Sequence, residues 1–70
     1  NQSEFSLFEI ENGIAEAENG IRIWSNFVKG FDNAGIENAE SENARAQLND
    51  YEAKLKLWQD RKAEYEANHP

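Results

Sequence analysis

Seventy residues with a formal net charge of −7 allow one small domain, and a chain this short is marginal alone unless disulfides, metals or partner chains help it. It has no cysteine, which removes disulfides and thiolate metal sites. Its acidic surface repels phosphate backbones and anionic lipid, so neither direct nucleic-acid binding nor a membrane role is expected.

No apolar run approaches the roughly 20 residues of a membrane-spanning helix. The start shows no basic region followed by an apolar one, as a secretory leader would. Residue 1 is Asn rather than Met, so the chain reads as a processed product or a piece of a longer one. Only eighteen side chains are apolar and larger than Ala. That suffices for one helix–helix seam and little more, and the missing core is most simply found in another chain.

Taken in order, Ser6 is the first structural signal. Glu9 stands three positions on, where its carboxylate can reach back to the cap's backbone N–H. Phe5 before the cap and Ile10 inside the helix form a candidate hydrophobic staple. Helix 1 is predicted over about residues 7–29.

Within it lies a seven-residue repeat, Ile10-Glu-Asn-Gly-Ile-Ala-Glu16 followed by Ala17-Glu-Asn-Gly-Ile-Arg-Ile23. Apolar residues recur at Ile10, Ile14, Ala17, Ile21, Trp24, Val28 and Phe31, with spacings of four and three, the seam of one helix packed lengthwise on another. With Ile14, Ile21 and Val28 at heptad position a, and Ile10, Ala17, Trp24 and Phe31 at d, both Gly13 and Gly20 fall at g, beside the seam. Each glycine costs a helix interior about 1 kcal/mol relative to Ala. The physical reading of the pair is close approach of a second backbone along that edge; the bland one is a tolerated weakness. Ile23 and Phe27 widen the apolar face at the helix end.

The two Asn-Gly pairs are also hairpin signals. A three-strand meander built on them sets Glu9 opposite Glu16, a like-charge pair, and puts Ile14 on the face of four glutamates. The helical frame makes all seven a and d positions apolar, so the helix is preferred.

Residues 30–35 read as the turn, with Gly30 in the left-handed conformation that closes a helix and Asp32 or Asn33 capping the next. Helix 2 is predicted over about 36–67. Glu37, Glu40 and Glu42 crowd its start and the bases Lys54, Lys56, Arg61 and Lys62 come later, an order the helix dipole favours. Its seam is Ala44, Leu48, Tyr51, Leu55, Trp58 and, past Lys62, Tyr65. The end of the chain, Asn68 and His69, is expected to fray.

The fold expected is therefore all-α: a helical hairpin of two long antiparallel helices with heptad seams, completed by oligomerisation. A short turn forces the antiparallel arrangement. Docking the seams around residues 30–35 puts Ile14 against Tyr51 and Leu7 against Trp58. Helix 2 then overhangs helix 1 by about ten residues, about 15 Å at the helical rise.

Chemistry is hard to assemble from these residues. The one His is penultimate, so no Cys-His or Ser-His-Asp set can form. Paired acids such as Glu9 with Glu16, Glu11 with Glu18 and Glu37 with Glu40 could do acid–base work or hold a metal, but they fall on outer positions and read as a solvated face. No catalytic residue, metal ligand or cofactor is expected, and the chain does not read as an enzyme. The column Tyr51, Trp58, Tyr65 could stack bases, yet the acidic surface favours packing. Helix 1 could lie in a lipid interface, yet its polar face is acidic where such helices are basic.

The function expected is a non-enzymatic structural protein that packs into a homo-oligomer or a larger assembly, of a kind that suits a ring, tube or stalk in a virion or a secretion apparatus. The packing and interface residues are Ile10, Gly13, Ile14, Ala17, Gly20, Ile21, Trp24 and Val28 in helix 1 and Leu48, Tyr51, Leu55 and Trp58 in helix 2, with Phe27, Phe31 and Tyr65 facing a neighbouring chain. The alternative is a small acidic binder or inhibitor of a protein partner, one that mimics nucleic acid with its carboxylates.

Overall fold

A computed structural model describes residues 5–68. Two helices pack against each other, α1 over Leu7–Ala34 and α2 over Ala39–Asn68, and no strand occurs among the described residues. The hairpin is a rod with extents of 49 × 16 × 15 Å.

Helix α1 starts where its capping box dictates. The Ser6 hydroxyl accepts from the Glu9 backbone N–H at 3.2 Å, and the Glu9 carboxylate accepts from the Ser6 backbone N–H at 3.1 Å. Two of the orphan donors of the first turn are thereby satisfied. Phe5 contacts the ring of Trp58, with centroids 5.3 Å apart, so its partner is on the other helix.

The turn lies further along the chain than expected. Gly30 remains inside α1, and the only residue of positive φ among those described is Gly35, at φ 68°. Gly35 closes α1: its N–H donates to the Asp32 carbonyl at 3.1 Å, and the Ile36 N–H donates to the Phe31 carbonyl at 2.9 Å. This pair of bonds is the Schellman ending, which needs a left-handed residue where glycine pays no Cβ penalty. Both glycines could have ended the helix. Past Gly35 a second, reciprocal cap follows, in which Asn38 and Ser41 start α2. The Ser41 N–H donates to Asn38 Oδ1 and the Asn38 N–H to Ser41 Oγ, both at 2.9 Å. The cap is thus Asn38, in place of Asp32 or Asn33. Asp32 instead forms a salt bridge with Arg45 across the turn end. Both side chains of that pair are exposed, so it adds little stability.

A hairpin's register pivots on its turn, and the displaced turn slides the two helices past each other. Tyr51 meets Gly20 and Trp58 meets Gly13, each six residues further along α1 than the pairing of Ile14 with Tyr51 and Leu7 with Trp58. The expected overhang of α2 disappears with it: α1 has 28 residues and α2 has 30. The helix 1 boundary at residue 29 and the helix 2 start at 36 are corrected by the same displacement. His69 and Pro70 lie outside the described residues.

Candidate interaction surface

The contact line of α1 runs through its glycines. Ile10, Gly13, Ala17 and Gly20 are its buried residues, which places the line on heptad positions d and g. The a row, Ile14, Ile21 and Val28, is half-buried at its edge. The glycines are therefore central to the seam, and what approaches them is an aromatic ring, not a second backbone.

The Trp58 indole lies on Gly13, where a Cβ would come within 2.6 Å of Nε1 and closer still to the ring carbons. The Tyr51 ring lies on Gly20, where a Cβ would come within 2.6 Å of Cγ. Distances this short mean overlap, so at these two positions any side chain would displace a ring. The helix-propensity cost of about 1 kcal/mol per glycine is offset by the contact area of a ring seated on bare backbone.

Each seated ring also carries a cation three residues on. The Arg61 guanidinium stands 4.6 Å from the Trp58 ring centroid and 4.3 Å from that of Phe5. The Lys54 ammonium stands 4.9 Å from the Tyr51 centroid. These contacts are worth about 0.5–1 kcal/mol each at exposed sites, and the stems of both side chains shield apolar surface. The signal was in the sequence as a repeated aromatic-x-x-cation unit, Tyr51 to Lys54 and Trp58 to Arg61.

Towards the turn the size pattern inverts. The buried residues of α2 are Ser41 and Ala44, and the α1 residues there are large: Trp24, Val28 and Phe31, all half-buried. The Ser41 hydroxyl is satisfied by donating to the Asn38 carbonyl at 2.9 Å, so its burial leaves no polar group unpaired. Leu48 and Leu55 are half-buried along the middle of α2. Tyr65 is half-buried and engaged with other atoms of the chain; it no longer lies on an overhang.

The apolar residues left outside this seam fall mainly on α1. Phe27 is 53% exposed and Ile23 39%. Phe27 packs on Trp24 with ring centroids 5.4 Å apart. Trp24, Phe27 and Phe31 line one wall of a shallow groove of about 390 Å³, with Ala39, Glu40 and Asn43 on the other. A second groove of about 380 Å³ continues past Ile23 and Trp24 towards Gly13, with Lys54 and Glu16 at its rim. Both are open trenches along the rod.

Among the described residues, no group of three His, Cys, Asp or Glu side chains is placed to hold a metal ion. The acids Glu9, Glu11, Glu16, Glu18, Glu37 and Glu40 are all exposed. No helix among the described residues is long and apolar enough to cross a membrane. No family model, curated protein or solved structure matches this chain.

Proposed function

We propose that this chain is a non-enzymatic building block whose hairpin completes its core by packing against copies of itself. The observation that carries this reading is how little the hairpin buries. Its buried apolar residues are Ile10, Ala17 and Ala44, and its largest fully buried side chains are Ile10 and Ser41. Two helices alone leave Trp24, Val28, Phe31, Leu48 and Leu55 half-buried, and covering that remaining apolar area with a further element would be favourable. A protein whose core is shared with a partner gains its stability by mass action. A charged rod of this length suits repetition in a ring, tube or stalk.

Sedimentation equilibrium combined with circular dichroism over a range of concentrations tests the reading. The expected result is a defined multimer whose helicity falls on dilution. A folded monomer near 8.0 kDa at every concentration would instead support the small acidic binder. Helicity gained only on adding lipid vesicles would support a membrane-surface segment.

A further inference from the structure

Gly13 and Gly20 are each covered by a ring, but the third glycine inside α1 is not. A Cβ on Gly30 would meet nothing within 4 Å, so nothing in the hairpin explains its presence in a helix interior, where it costs about 1 kcal/mol. Gly30 shares one exposed face of α1 with Ile23, Phe27 and Ala34, since spacings of four, three and four keep residues on one side of a helix. Two of these residues are large and two are small, and the spacing reads the same in both directions.

We propose that this face is the contact between two copies, with the two α1 helices antiparallel about a two-fold axis that passes between residues 28 and 29. This rests on the self-assembly reading above and names the surface it uses. In a two-fold contact the same patch meets itself, so residue i touches j while j touches i. Setting Phe27 of one copy on Gly30 of the other fixes the remaining pair without adjustment: Ile23 then meets Ala34. Both pairs set large against small, as interdigitated packing requires, and Phe27 repeats between copies what Trp58 does on Gly13 within one. Phe27 is already braced by Trp24, which lowers the entropy lost when the ring docks.

Charge points to the same occupant. Copies of a chain of net charge −7 repel, yet none of the four contact residues is charged; Asn19, Asn26 and Asn33 border the face on one side, and the charges on the other, Glu16, Glu40 and Lys54, stand back across the grooves. An uncharged strip lets like-charged molecules meet there, with the asparagines as a polar rim.

Size-swap variants followed by sedimentation equilibrium provide the test, with circular dichroism confirming that each is helical. Gly30 lies in open space, so Gly30→Phe fits the hairpin itself. Phe27→Gly and Gly30→Phe are each expected to weaken self-association about tenfold or more, as loss of an interface anchor does. The double variant, Phe27→Gly with Gly30→Phe, restores large against small in the same register and is expected to return to within about threefold of the original, a coupling that distant sites do not show. Ala34→Leu with Ile23→Ala provides a second such pair, independent of Gly30. Undiminished association in Gly30→Phe and Ala34→Leu would overturn the face while leaving self-assembly standing. A wild-type chain monomeric at all concentrations would overturn both.

Discussion

The two halves of the hairpin solve one packing problem with opposite assignments. Near the chain ends α1 is bare, at Gly13, Ala17 and Gly20, and α2 supplies the bulk through Tyr51 and Trp58. Near the turn α2 is small, at Ser41 and Ala44, and α1 supplies Trp24, Val28 and Phe31. The first half ends with both rings seated and a cation over each. The second ends with Phe27 in solvent and Gly30 uncovered. The same residue type therefore has a use inside the hairpin at two positions and none at a third. Exposed apolar side chains occur in both halves, Phe8 and Leu57 in the first and Ile23 and Phe27 in the second; what sets the turn half apart is a helix-interior glycine that no ring covers.

The largest break in that contrast is expected from filling a seated glycine. Gly20→Leu drives a side chain into the Tyr51 ring and should cost about 3 kcal/mol, the upper end of overpacking penalties. Asn19→Leu, one residue away on the exposed face, should stay within about 0.5 kcal/mol. Urea denaturation followed by circular dichroism measures both. Emptying a seat from the other side comes next: Trp58→Ala strips the cover from Gly13 and the partner from Phe5 and Arg61, at a cost of about 2–3 kcal/mol, below the range for fully buried aromatic side chains because the indole is only half-buried.

The turn should be less sensitive. Gly35→Ala forces a Cβ into the left-handed region and should cost about 1 kcal/mol. Asn38→Ala removes the start of α2 for a similar cost, about 1 kcal/mol. Smallest of all, Lys54→Gln should lose about 0.5 kcal/mol of cation–ring attraction to Tyr51. Thermal melts at fixed protein concentration rank these three.

Much of this arrangement can be read in the sequence, and the parts that cannot share a physical cause. The Ser6–Glu9 start of α1 is a local exchange of hydrogen bonds between residues three apart, so it is visible without any tertiary knowledge. The seam of α2 is marked by large side chains, and Tyr51, Leu55 and Trp58 fall where their spacing places them. The line of α1 is harder, because periodicity is read from apolar side chains and a glycine has none to count. Only a ring on the other helix reveals that Gly13 and Gly20 are the centre of the contact rather than its margin. The turn depends on which of Gly30 and Gly35 leaves the helix. The ending at Gly35 is joined to a reciprocal cap at Asn38 and Ser41, beyond the stretch that holds the two glycines. Once the turn moves, the register moves with it.

The account depends on Gly13 and Gly20 being seats for aromatic rings while Gly30 lies outside the hairpin's own packing. The most direct test is an alanine placed at each in turn, with the urea midpoint read by circular dichroism at one protein concentration. Alanine is the better helix former by about 1 kcal/mol at every one of them. Gly13→Ala and Gly20→Ala are nevertheless expected to unfold at lower urea than the original chain, and Gly30→Ala is expected to be the most stable of the three. Equal gains at all three positions would mean that helix propensity alone governs them, and would contradict the seats.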